Sequence, residues 1–403
     1  MGRRKIVAYR KRLLDLVILA LALLLLFLAC RRDSENLSAS FREKEEVTYQ
    51  LPLLLPLTGT LSSLGEDAEW AADYAVGEIN ASGGIHGVPV QIVKYDSKNS
   101  QQQAKKYARE IGEKYRFFIG PIDSVGTAAI AEHVKETGTP NIAAYSYASV
   151  RQQTRPYGIT YMSDSTAGEK QAVKRWKELN PDIRKTVVLV TKNENSQMET
   201  AEDLKAYLPK LSMSVVSVVA VDLSEQNGLR AAAQALNAKA DGYIVLARAD
   251  EYGPVLAELR KRGITEGRRF TASFASYDRT LIRTYASELR DTYVWNKFDL
   301  NYQGKNWKEL RRQYRSAHHG SDPDTSIVSD IYNAVFAWKQ CVETLGLKPE
   351  PENLRKEKQA IARWLYQSPV LNGVQGAYQW KNGNKRSAVY YFQFGASGEL
   401  NSR

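Results

Sequence analysis

Apolar, β-prone runs and helix-period segments alternate along this chain, and that alternation limits the fold more than any other feature. The first run spans Leu51 to Leu57. Behind it Trp70, Ala71, Tyr74, Ala75 and Ile79 recur three or four apart, which predicts one buried helix face. Asn80 and the Gly83-Gly84 pair mark its stop, because both residue types accept the left-handed backbone that closes a helix. Val88 to Tyr95 reads as the next strand and 104–115 as the next helix. Phe117 to Gly120 reads as a short buried strand, 124–136 as a helix and Asn141 to Ala144 as a strand. This rhythm implies a parallel sheet with helices on both faces.

The rhythm resumes further on. Thr186 to Thr191, Val215 to Val221, Gly242 to Ala247 and Arg269 to Ser273 are expected strands, separated by helical segments near 165–179, 197–209, 226–238 and 251–262. From 304 to 367 the pattern turns helical, and the last thirty residues read as short strands and turns. No repeat period is visible, which excludes a solenoid. Two α/β units of similar size without a long linker predict a two-lobed α/β molecule with a cleft between the lobes. Ligands of such sheets bind beyond the carboxyl ends of the strands.

The formal charge of +11 is concentrated at the start of the chain. Residues 1–29 hold Arg3, Arg4, Lys5, Arg10, Lys11 and Arg12 against Asp15 alone, and the other 374 residues carry only +6. No cluster of cations with interleaved aromatics stands out, so no nucleic-acid partner is expected. The basic start, the apolar stretch from Leu16 to Ala29 and Cys30 form an export signal pattern. As a helix the stretch reaches about 21 Å, short of the ~30 Å hydrocarbon core, which favours a removable signal over a permanent span. Phe27-Leu28-Ala29-Cys30 resembles a bacterial lipoprotein signal, in which the Cys is acylated and becomes the new N-terminus. The polar, charged residues 31–46 then read as a tether, and the remainder works outside the cytoplasm at a membrane surface. Cys341 sits in an apolar helical stretch and is expected to be a buried structural thiol.

The run from Pro56 to Asp96 resembles the opening of type I periplasmic solute-binding proteins, in the branched-chain amino-acid (Leu/Ile/Val) and amide-binding group that serves ABC importers. Its most specific part is Glu78-Ile79-Asn80-Ala81-Ser82-Gly83-Gly84-Ile85-His86-Gly87, a helix stop, loop and strand entry. Ser100 to Ala108, Phe118-Ile119-Gly120 followed by Ser124, and Asp330 to Ala334 resemble further family segments in the same order. The resemblance extends from about residue 48 to 395. It implies a signal peptide at 1–29, the lipidated Cys30 and tether at 30–46, lobe one at 47–160 with 299–378, and lobe two at 161–298 with 379–403. It also implies a small polar solute as ligand, ABC permease subunits as partners, no cofactor, and a monomer.

Carried over residue by residue, Ser124 matches the family's carboxylate-binding serine; it could equally cap the helix that starts there, and the two roles are compatible. Tyr145, Ser146 and Tyr147 fall where the family presents a carbonyl and a hydroxyl, and they could wall the cleft or support the hinge. Leu64 falls where many members place an aromatic over the ligand, although an ordinary loop leucine fits as well. In lobe two Asn195, Ser196 and Gln197 replace the usual Tyr-Gly, and Ser273 to Ser276 carries no carboxylate for an α-ammonium. Asp250, Glu251 or Asp278 could substitute, while Arg248 could pair an acidic ligand. Catalytic motifs are missing. Ser124 is flanked by Ile122 and Gly126, so there is no G-x-S-x-G elbow, and no phosphate-cradling glycine loop follows a strand. His318 and His319 with Asp322 and Asp324 offer a weak metal set. A ligand sensor for a separate membrane partner, and below it an exported hydrolase, are the alternatives to an importer's binding protein.

Overall fold

A computed structural model describes residues 47–145, 148–162, 165–222, 228–276, 279–323 and 325–403. The expected signal peptide, Cys30 and the tether lie outside these residues. The first apolar run forms β1 (Tyr49–Leu55), buried at every position except Gln50. Such two-sided burial is what a parallel strand between helical layers requires. In chain order follow α1 (Ser62–Ala81), β2 (Val90–Asp96), α2 (Gln101–Lys114), β3 (Phe118–Ile119), α3 (Ser124–Thr137), β4 (Asn141–Ala143), α4 (Ala148–Thr154) and β5 (Gly158–Thr160). The strands pair in parallel in the order β2-β1-β3-β4-β5.

The second sheet draws on α5 (Ser165–Leu179), β6 (Lys185–Thr191), α6 (Asn195–Tyr207), β7 (Ser214–Val221), α7 (Leu229–Asn237), β8 (Gly242–Val245), α8 (Ala249–Lys261), β9 (Phe270–Ala272), α9 (Arg279–Leu289) and β10 (Tyr293–Asn296). Then come α10 (Lys305–Ala317), α11 (Ile327–Thr344), α12 (Leu354–Tyr366) and an antiparallel ribbon of β11 (Leu371–Gly373), β12 (Gly376–Lys381) and β13 (Asn384–Arg386). The last strands, β14 (Tyr390–Phe394) and β15 (Leu400–Ser402), join the second sheet antiparallel, giving the order β15-β14-β10-β9-β8-β6-β7.

Packing follows the two sheets. Leu51, Ala72 and Ile142 share one core with Trp307, Trp338 and Trp380, so α10, α11 and the ribbon return to the first sheet. The alanine stripe of α1 (Ala68, Ala71, Ala72, Ala75) is small enough for α11 to lie close against it. The second sheet is covered on one face by Val187, Tyr243, Leu256 and Phe392, and on the other by Trp176, Val188, Trp295 and Tyr391. The chain connects the two sheets three times: after β5, after β10 and between β13 and β14. Residues 379–386, where the sequence begins its expected second lobe, pack with the first sheet. Trp380 is buried there and its Nε1 donates to the Thr160 carbonyl at 2.7 Å.

Two buried lysines hold this first body together. Lys358 of α12 donates to the carbonyls of Gly112 and Thr137, at the ends of α2 and α3, where a helix dipole favours a cation; burial pushes its pKa down to about 8. Lys385 of β13 pairs with Asp330 of α11, and both are almost fully buried. Breaking such a pair on one side leaves an uncompensated charge. Lys385→Met is therefore expected to lose about 3–5 kcal/mol in urea unfolding. Adding Asp330→Leu should recover part of that loss; equal losses in both variants would show that the stranded carboxylate is not its cause.

Candidate ligand site

At the carboxyl end of the first sheet, β3 must turn sharply beneath β1. Gly120 has φ of +106°, and a Cβ there would meet the Leu54 carbonyl oxygen at 2.1 Å, so only glycine fits. Asp123 then caps α3, its Oδ1 accepting from the Gly126 amide at 2.6 Å. The cap is thus the residue before Ser124. Half-buried Ser124 takes the first helical position, and its hydroxyl makes no hydrogen bond among the described residues. It stands beside the unpaired first amides of a helix, which suit a carboxylate or an amide oxygen.

Neighbouring loops are braced from below. Asp96 accepts from the amides of Leu57, Thr58 and Lys98 and from the Thr58 hydroxyl, which fixes the loop after β1. Burial alone would raise its pKa, but these hydrogen bonds outweigh that and hold it below the usual value. Leu64 lies in the first turn of α1, not in a loop, half-buried against the first core. The Tyr145 ring is fully buried, its hydroxyl donating to Asn141 Oδ1 at 2.8 Å and its pKa raised by burial. Its side chain therefore supports β4 from within the lobe and does not wall the cleft; only its carbonyl, which accepts from Arg151, lies along the loop. Ser146 and Tyr147 lie outside the described residues.

On the second sheet, Arg248 directly precedes α8 with a side chain 56% exposed. It reaches Glu251 Oε1 at 3.1 Å and Asp250 Oδ1 at 3.5 Å. Glu251 is buried and also accepts from the Thr191 hydroxyl and the Arg248 amide, so it closes the start of α8 and is not a free ligand carboxylate. Ser196 falls in the first turn of α6, where its side chain is outside the description, as is Asp278. Phe274, in the turn after β9, meets Trp295 edge-on at 5.1 Å and lies under the Lys297 ammonium at 4.0 Å. Of the weak metal set, Asp324 lies outside the described residues; Asp322 is held by Arg311 and Arg315, His318 stacks on Tyr314, and no metal-binding cluster occurs among the described residues. Cys341 is a buried free thiol whose pKa burial raises.

A family profile described as periplasmic binding protein matches residues 48–399. The chain belongs to that family. Among its relatives, the Leu/Ile/Val-binding protein BraC3 of Rhizobium johnstonii is 29% identical over 102 residues, 25% of this chain and 28% of that protein. The chain thus matches little more than a quarter of that relative's length. The leucine-binding protein LivK of Thermotoga maritima superposes with a TM-score of 0.67 at 17% identity, over 88% of this chain and 98% of that one. A solute-binding protein from R. palustris in complex with benzoate gives 0.65 at 15% identity, over 88% and 95%. These structures share the two-lobed type I fold. Periplasmic binding proteins are extracytoplasmic and non-enzymatic, so the hydrolase alternative is set aside. No helix of the described residues is long and apolar enough to cross a membrane.

This binding protein carries one buried acid that its motifs do not mark. Glu169 of α5 is 1% exposed; its Oε2 accepts from Trp295 Nε1 at 2.6 Å, and Oε1 has no hydrogen-bond partner among the described residues. Ser273 lies close enough to ease the burial without completing that bond. Burial pushes the carboxyl up to about 8. The signal was present in the sequence, since Glu169 continues the stripe of Ala172, Val173 and Trp176. A carboxyl protonated when folded and ionised when unfolded makes stability fall as pH rises. The contribution is complete below about 4.5 and lost through about 8. Melting temperatures across that range should decline more steeply in wild type than in Glu169→Gln, and parallel curves would contradict the assignment.

Proposed function

We propose that the chain is a membrane-tethered solute-binding lipoprotein that captures a small polar solute and delivers it to the permease of an ABC importer. The observation that carries this reading is the uncommitted Ser124 hydroxyl beside the open amides of α3, in a chain that matches its family over residues 48–399. Lobe one comprises 49–160 with 298–386, and lobe two 165–296 with 390–403. The solute docks on the loops after β1, β3 and β4. Closure then brings down the loops after β6, β8 and β9, excluding water and strengthening polar contacts. The solute shifts closure only by as much as it prefers the closed state, and no bond in it changes.

The relatives named above bind leucine, isoleucine and valine, or benzoate, all of which offer a carboxylate to a site like that at Ser124. An amino acid, an amide or another small acid is the corresponding solute class here. Residues 1–29 are a cleaved signal, Cys30 carries the acyl chains and residues 31–46 give the lobes reach from the membrane.

In a thermal-shift panel of residues 31–403 with amino acids, amides, urea and small carboxylic acids, at least one compound should raise the melting temperature and emerge unaltered. Chemical turnover of a hit would overturn the reading. Ser124→Ala should weaken that compound by about 1–3 kcal/mol in calorimetry with melting unchanged; undiminished affinity would remove Ser124 from the site. Cys30→Ser should move the protein from the membrane fraction to the soluble one, whereas retention would mean an uncleaved anchor.

A further inference from the structure

A second concave site lies on lobe one, between α11 and the first strand of the ribbon, and uses none of the loops that follow β1, β3 and β4. Its cavity of about 360 Å³ falls within the range of small-molecule sites. Asn333 lines it and is only 8% exposed. The Asn333 Oδ1 accepts from the Val374 amide at 3.0 Å, which fixes the orientation of the side-chain amide and leaves Nδ2 as its spare donor. Nδ2 makes no hydrogen bond among the described residues. Gly373 keeps the approach open, because a Cβ there would come within 3.0 Å of Nδ2. A buried donor without an acceptor is rare and calls for one. Beside it Tyr332 and Phe336, one turn apart on α11, form a wall of two tilted rings with centroids 4.8 Å apart. The Tyr332 hydroxyl donates to Glu78 and its ring stacks on Tyr74, so the wall is held in place before anything binds. Charge at the rim cancels, since Lys339 pairs with Glu343. Around that pair stand the exposed amides of Asn306, Gln340 and Asn372.

We propose that this cavity is a second binding site, and that it takes a neutral sugar. Amide side chains both donate and accept, as the hydroxyls of a sugar require. The ring pair offers an apolar face to the C–H side of a pyranose. An ionic ligand would meet no unpaired opposite charge among the lining residues and would lose hydration without compensation. A wholly apolar ligand would leave the Asn333 amide unsatisfied. Nδ2 therefore donates to a sugar oxygen while Tyr332 and Phe336 receive the carbon face. Solute capture in the cleft uses none of these residues, so this proposal stands or falls apart from that reading.

The test is ligand-observed NMR and calorimetry on the full chain, held in a detergent without a sugar headgroup, with D-glucose, D-galactose and D-mannose as probes. At least one should bind saturably, and more tightly than its own uronic acid. Asn333→Asp keeps the acceptor for the Val374 amide but removes the spare donor, and should weaken that sugar at least about tenfold. Phe336→Leu keeps apolar volume without the ring and should weaken it at least about threefold. Gly373→Ala, whose methyl closes the approach to Nδ2, carries the comparison if the aspartate variant does not fold. A trisaccharide that binds more tightly than its monosaccharide would mark a glycan as the source and equal affinity a free sugar; both uphold the site. No binding by any of the three sugars, equal or tighter binding of the uronic acid, or unchanged affinity in Asn333→Asp and Phe336→Leu would overturn the proposal. Weakening of the sugar by Ser124→Ala would place it in the cleft and overturn the proposal as well.

Discussion

Coverage of both sheets by helices is the constraint on which the rest depends. Leu51, Leu53 and Leu55 face one core while Leu54 faces another, so β1 has no face left for a solute. Parallel strands buried in this way expose chemistry only at their ends. A site on such sheets must be built from turns, and the proposed one draws on Gly120 to Ser124, Pro56 to Thr60, Leu246 to Arg248 and Ser273 to Ser276. Two of these turns are tied to a neighbouring strand, Thr58 donating to Asp96 at the end of β2 and Ser276 to the Val245 carbonyl of β8. A loop fixed from below can present a polar group without having to order itself on binding.

The same coverage explains why the chain returns twice. A five-stranded sheet with β3 only two residues long cannot bury α1 by itself, and α10 to α12 supply the missing layer. Their return places the crossings side by side. Trp380 reaches the end of β5, Gln375 bonds both the amide and the carbonyl of Asp299 after β10, and Tyr390 donates to the Gln375 carbonyl. The ribbon thus gathers the connecting segments at one place.

Legibility in the sequence followed the length and periodicity of each element. The helix at 165–179 and the strand ending at Thr191 were plain because apolar periodicity runs through them. Strands β5 and β10, of three and four residues, and helix α9 gave too short or too broken a pattern; α9 is kinked at Tyr285. At Trp380 the change of lobe was misplaced, because its partner Thr160 lies 220 residues away and no local pattern encodes that bond. At the start of α3 the motif points to Ser124 but not to the cap, since Asp123 and Ser124 are equally good capping residues. Tyr145 can be read either as a wall of the cleft or as support for the hinge, and only the fold supplies Asn141 as the partner that turns its side chain inward.

On the proposed reading, charge is distributed unequally between the two halves of the site. Lobe one offers neutral donors, a hydroxyl and helix amides, which need no counter-ion and leave the empty lobe at low electrostatic cost. In the proposed site lobe two would offer ionisable groups, Arg248 with Asp250 and Glu251, which restrain one another. A solute bound first on lobe one would meet those groups only as the lobes approach, when falling solvation strengthens any match and penalises any mismatch. Affinity would then be set mainly by the first lobe and selectivity by the second, because an unmatched buried charge costs more than a missed contact to a hydroxyl.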